Sequence, residues 1–228
     1  MTDKSTSQQR PTTRAERRQA MVKDKRQERM KQYQRNRREM LIIKYTSIAL
    51  AVIVVGALVF AGFVYLRDRD LNQEPDGVVT FEYADANHID GQIDYSAQPD
   101  YQGEIPPAGG AHNAVPQQCD IYDAPIRPEN AVHSLEHGAV WITYQPSLPQ
   151  DQIDKLRDLA EGDEYILMSP LDTIGAPIVL TAWEHQLSLK SFDETQVERF
   201  IRSYKHKRGI TPEFNGLCSG ETTTLPQS

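Results

Sequence analysis

The most pronounced feature of the hydrophobic pattern is an uninterrupted apolar run at residues 45–66 (YTSIALAVIVVGALVFAGFVYL), 22 residues without a charge. At about 1.5 Å of rise per residue, a helix of that length crosses a hydrocarbon layer about 30 Å thick, so one transmembrane helix is predicted. A cleaved signal peptide is the poorer reading. The 44 residues ahead of the run are too many for its basic region, and signal peptides carry apolar stretches of only about 7–15 residues.

Beyond residue 77 the pattern becomes that of a globular domain. Residues 78–83 (VVTFEY), 139–144 (AVWITY), 165–168 (YILM) and 178–183 (IVLTAW) read as strands, with 170–177 connecting the last two. Ile153, Leu156 and Leu159 recur at helical spacing between Pro149 and Gly162, which predicts a helix over 150–160. A second helix is marked more fully. Ser191 and Glu194 match a capping box, Val197, Phe200, Ile201 and Tyr204 form a stripe, Lys205, Lys207 and Arg208 suit the C-terminal dipole, and Gly209 ends it. Residues 87–111, with Pro99, Pro106, Pro107, Gly109 and Gly110, are loop.

The order strand, helix, strand, strand, helix predicts an α+β domain. The expected form is a small antiparallel sheet with two helices on one face, ferredoxin-like in tendency, carrying a loop-rich N-terminal elaboration and preceded by the transmembrane helix. The expected organisation is a basic tail (1–44), the membrane helix (45–66), a polar linker (67–77), the α+β domain (78–220) and a flexible tail (221–228).

Charge adds orientation to this picture. The chain of 228 residues has a net charge of −7, yet residues 1–44 hold 14 Lys and Arg against 5 Asp and Glu, leaving 11 against 27 for the remainder. Arg35, Arg37, Arg38 and Lys44 on the N-terminal flank outnumber Arg67 and Arg69 on the other. By the positive-inside bias the tail is cytoplasmic and the globular domain extracytoplasmic, which makes this a single-pass protein of the cell membrane. The tail has too few apolar residues to bury a face, so it is read as disordered or as a solvated helix that meets anionic lipid heads. It lacks the interleaved aromatics of a nucleic-acid surface. No phosphate-cradling loop, dinucleotide fingerprint or serine-nucleophile motif is present, which argues against nucleotide chemistry.

Candidate chemistry lies between residues 106 and 138. His133, Glu136 and His137 (HSLEH) stand at i, i+3 and i+4, so one helical turn directs all three to one face. Two imidazoles and a carboxylate suit zinc, copper or iron. The spacing is that of inverted zinc metalloproteases, with Glu136 as the candidate catalytic residue, but Pro128 and Gly138 confine the segment to about two turns, which disfavours that enzyme class. His112 closes the glycine turn PPAGGAH and could fold back to complete a three-histidine site for zinc or copper with an open fourth position. The competing reading is structural, with the histidines bonded to loop backbone and neutralised by Glu136. His88, His185 and His206 are scattered and read as surface or loop-packing positions, the alternative being that His88 or His185 joins the site. Cys119 and Cys218 both fall on the outer side, where a disulfide across 98 intervening residues is expected; no CxxC spacing favours a metal-binding or redox pair.

The strings GGAHN, QQCDIYDAPIRPENAVHSLEHGAVWITY and LTAW, with the late Cys218, resemble the bacterial membrane-anchored family catalogued as domain of unknown function DUF3105, over residues 78 to about 220. The resemblance implies an N-terminal membrane helix and points to His112, His133, Glu136, His137 and Gly138 as family positions, with departures at Asn113 and Asp120. It implies no reaction. Two functions are therefore expected from different classes. One is a membrane-tethered metal-binding domain with His112, His133 and His137 as ligands. The other is a non-enzymatic interaction module in which the same residues lock a loop, its protein partner unknown.

Overall fold

The computed structural model describes residues 13–218, so the first twelve residues of the basic tail and the expected flexible tail at 221–228 lie outside the described residues. The chain divides into two compact units, residues 1–65 and 66–228. In the first, helix α1 (Arg14–Leu71) begins within the basic tail. Residues 14–44 form the first part of this helix. Its apolar window has none of its length buried, and by length and composition the helix is able to cross a membrane.

In the second unit the last turns of α1 extend into residues expected to form a linker. They dock instead on a helix from the far end of the chain, α4 (Glu194–Tyr204). Asp68 pairs with Arg202 at 2.7 Å, Asp70 with Arg199 at 2.5 Å, and Glu74 accepts from the Tyr204 hydroxyl. Leu71 is buried there.

The remaining elements are β1 (Val79–Thr80), a short 3₁₀ turn (Tyr95–Ala97), α2 (Pro128–Glu136), β2 (Val140–Tyr144), α3 (Gln150–Ala160), β3 (Ile166–Pro170), β4 (Ile178–Ala182) and β5 (His185–Leu189). The five strands form one mixed sheet in the order β1-β5-β4-β2-β3. β2 and β3 run parallel as neighbours, with α3 as the crossover, while the other pairs are antiparallel. This corrects the antiparallel expectation: an eleven-residue helix between two strands is long enough to return the chain to the same end of the sheet. The ferredoxin-like interleaving is also absent, because β4 pairs on the side of β2 opposite to β3.

Period-2 alternation along β2 sorts its side chains onto two layers. Val140, Ile142 and Tyr144 join Ile166, Met168 and Leu180 beneath α3 and α4, which contribute Leu156, Ala160, Val197 and Phe200. Trp141 and Leu167 face the other way and pack with Ala131, Val132 and Leu135 of α2. A third helix thus covers the second face, where two helices on one face had been expected. The α4 cap also differs: Asp193, not Ser191, accepts from the Gln196 amide at 3.1 Å. Strand β5, which the pattern missed, follows β4 through a tight turn at Glu184, held at φ 63° without the glycine or asparagine that marks such turns.

Cys119 and Cys218 are bonded, their Cα atoms 5.4 Å apart, and the Cys119 amide donates to the Cys218 carbonyl at 2.8 Å. The bond fixes the C-terminal segment, residues 211–218, beside the end of α2. Thiol labelling of unreduced protein should find no free thiol, and Cys119→Ser should cost about 2–5 kcal/mol in denaturant unfolding. Two readily alkylated thiols in the wild-type protein would remove this staple.

Candidate metal centre

Helix α2 supplies the frame of the site. Pro128 occupies its first turn, where a missing amide hydrogen costs nothing, and every residue from Glu129 to Glu136 is buried. Ala131, Val132 and Leu135 face the sheet. The opposite face presents His133 and Glu136, with His137 at the C-cap, as the i, i+3, i+4 spacing predicts.

Three loops close over that face. Residues 112–117 run along α2: the Asn113 amide donates to Glu129 O, Asn130 Nδ2 donates to Val115 O, and Ser134 Oγ donates to Gln117 O. Ahead of them, Gly110 adopts φ 79° and the Tyr83 ring lies where a Cβ on Gly109 would stand, so the glycine pair lets the chain turn tightly over Tyr83 and carry His112 inward. Residues 87–89 zip onto His112 through His112 N to Asn87 O and Ile89 N to His112 O. That pairing sets His88 beside the site, its ring stacked on His133 at 5.0 Å. The third loop is the disulfide-held C-terminal segment, whose Glu213 amide donates to Glu136 O.

The hydrogen bonds of the histidines decide what these rings can do. His112 Nδ1 lies 2.9 Å from Gly110 O, His133 Nδ1 lies 2.7 Å from Asn113 O, and His137 Nδ1 lies 2.8 Å from Leu217 O. A carbonyl only accepts, so each Nδ1 carries the hydrogen and each neutral ring is left with a bare lone pair on Nε2. Those lone pairs converge. His112 Nε2 stands 3.0 Å from Glu136 Oε2, and His133 Nε2 stands 3.1 Å from His137 Nε2. Neither His112 Nε2 nor Glu136 Oε2 has a hydrogen-bond partner among the described residues: the pair is close but misaligned. Both residues are buried, at 0% and 5% exposure.

Donor atoms of His88, His112, His133 and Glu136 all lie within 4.8 Å of one another, and a second group of His133, His137 and Glu213 meets the same measure. In a tetrahedral zinc site with bonds of about 2.1 Å, the donors sit about 3.4 Å apart, so the widest separation here exceeds that spacing by no more than about 1.4 Å. His112 and His137, expected as co-ligands, fall in different groups, with His133 common to both. Two residues of the cluster stand outside the expected ligand set of His112, His133 and His137: His88, read first as a loop-packing position, and Glu213. His88 arrives through backbone pairing with His112, and Glu213 through the disulfide; no local sequence signal marks either. His185 and His206 lie elsewhere, against Tyr204 and between Tyr165 and Phe214.

Burial drives the His133 pKa down to about 4, with the His137 and His112 rings adding to the effect. Burial opposes ionisation of Glu136 as well, but the adjacent His112 outweighs it and holds the carboxyl below its usual range. His112 is the mirror case: burial would lower it, and Glu136 raises it. In metal-free protein His133 is therefore neutral when folded and protonated when unfolded between pH about 4 and 6.5. The unfolded state binds more protons in that window, so stability rises with pH across it and falls by up to about 3 kcal/mol on acidification through it. Thermal unfolding of chelator-treated protein should show this slope, and His133→Asn should flatten it. A variant with the wild-type pH profile would contradict the assignment.

Against known proteins, no curated protein and no solved structure matches the chain. One family model does match, over residues 88–220, which is more than half of the sequence and includes all six histidine and carboxylate positions of the cluster and both cysteines. The chain belongs to that family, described as a protein of unknown function, DUF3105.

Proposed function

We propose that this protein is a membrane-tethered metal-binding domain, holding one late first-row divalent ion, zinc or copper, through His88, His112, His133 and Glu136. A single observation carries the reading: buried rings with Nδ1–H committed to backbone carbonyls turn bare Nε2 lone pairs toward one another and toward a carboxylate. Metal-ligating histidines have this form, the outer nitrogen anchored to a carbonyl and the inner one free to coordinate. A purely structural cluster would use both nitrogens on protein partners, because a buried polar atom left alone costs about 1–3 kcal/mol. His112 Nε2 and Glu136 Oε2 face each other at 3.0 Å without the alignment of a hydrogen bond, and so meet that rule only as an ion pair.

Within this reading the ligand roles differ. His112 and His133 are the fixed inner ligands. Glu136 supplies negative charge against the ion, and His88, the exposed member of the group, completes the four donors. The borderline donor set of imidazoles and a carboxylate suits zinc and copper better than calcium or magnesium, which prefer oxygen. Residues 45–66 anchor the domain, the basic flank keeps the tail cytoplasmic beside anionic lipid heads, and the globular domain is extracytoplasmic, where its disulfide persists.

Elemental analysis of full-length protein purified in detergent from an oxidising compartment should find about one zinc or copper per chain. His112→Ala should lower the metal content by tenfold or more while the helical signal is retained. Folded wild-type protein that takes up neither metal at micromolar concentration would overturn the proposal. For orientation, a reporter fused after Ser228 should be active only outside the cytoplasm; cytoplasmic activity would reverse the topology.

A further inference from the structure

The geometry points to a second, outer position for the same ion, at His133, His137 and Glu213, through which the inner site is loaded and emptied; this rests on the metal-binding reading above. Donor atoms of the three residues lie within 4.8 Å of one another. His137 Nε2 is 3.3 Å from Glu213 Oε2 and 3.1 Å from His133 Nε2. Because His133 and His137 both donate Nδ1–H to carbonyls, their facing Nε2 atoms bring two lone pairs together. Such a contact is favourable only with a hydrogen or a cation between the nitrogens. The position is therefore built for positive charge independently of the inner group.

The two positions differ in access. The Glu213 side chain is 56% exposed, whereas that of Glu136 is 7% exposed. Glu213 is thus the carboxylate a hydrated ion meets first, and Glu136 the one it reaches after shedding water. Stripping an ion of water before any ligand replaces it is costly, so a buried site fills most readily by stepwise exchange of ligands. His133 provides that continuity, since its Nε2 is within reach of both groups.

It also makes the positions alternatives. With Nδ1 hydrogen-bonded to Asn113 O, His133 has one lone pair and binds one ion at a time. Glu213 and His137 capture the ion, His133 joins them, and His112 and Glu136 then displace the outer pair. The outer half is held by tertiary contacts of its own. Leu217 O orients His137, Gly216 packs on the His137 ring so closely that a Cβ there would overlap it, and the adjacent Cys218 is tied to Cys119.

The test uses full-length, chelator-stripped protein in detergent and Co²⁺ alone as the probe, read by d–d absorption and stopped-flow mixing. Wild type should bind one Co²⁺ per chain. Glu213→Gln should slow uptake and release by about tenfold each, leaving Kd within about twofold and the final spectrum unchanged, because a residue on the path alters both rates but not the end state. Glu136→Gln should instead weaken Kd by about 10–100-fold. Four results would overturn the outer position: two Co²⁺ bound together, wild-type rates in Glu213→Gln, an altered final spectrum in that variant, or loss of uptake rate with matching loss of affinity, which is the mark of a charge acting at a distance. Wild-type protein that binds no Co²⁺ would retire the metal-binding reading itself and the outer position with it.

Discussion

A nine-residue helix buried on every side cannot hide its polar half against a sheet, and much of the domain's irregular structure answers that constraint. Helix α2 sets Ala131, Val132 and Leu135 on the sheet, which leaves Asn130, His133, Ser134 and Glu136 buried away from bulk solvent. Each unpaired group would cost on the order of 1–3 kcal/mol. The loops at 112–117 and 213–218 supply backbone carbonyls to Asn130, His133, Ser134 and the neighbouring His137, one by one, while the Glu136 carboxylate faces the imidazoles. The loop-rich N-terminal part of the domain is, in this sense, the second wall of a polar compartment whose first wall is a helix.

What distinguishes this compartment from an ordinary satisfied polar core is the uneven distribution of its hydrogen bonds. Outer ring nitrogens have short, direct bonds to carbonyls, while inner nitrogens face one another and a carboxylate at 3.0 to 3.1 Å. The electrostatic consequence is a division of labour between neighbours. His133 is held neutral by burial, and His112 and Glu136 stabilise each other's charged forms. An imidazole that stays neutral next to a carboxylate that stays ionised is a pairing suited to a cation.

The disulfide and the docked end of α1 act at opposite sides of the domain to the same effect. Cys119–Cys218 fixes a C-terminal segment with few apolar residues of its own beside α2. The ion pairs of Asp68 and Asp70 with α4 secure the residues that leave the apolar helix. Exposed pairs of this kind contribute little singly, about 0–1 kcal/mol each, but the buried Leu71 gives them an apolar anchor.

The apolar helix, the α3 and α4 helices, four of the five strands and the HSLEH turn were legible in the sequence, because each is written in local periodicity of 3.6 or 2 or in spacing along one helical turn. Strand β5 was not, since its turn carries Glu184 in the left-handed region with no glycine or asparagine to announce it. Strand order was not legible either. Periodicity states which face of a strand is buried but not which neighbour it takes, and the parallel β2–β3 pair depends on where the α3 crossover lands. The cluster divides in the same way. His133, Glu136 and His137 share a face by virtue of sequence spacing alone, and the glycine turn marked His112. His88 and Glu213 enter through a two-residue backbone pairing and a disulfide spanning 99 positions. Such contacts are set by chain closure, which leaves no periodic trace, and only the tertiary structure could bring them to the same few ångströms.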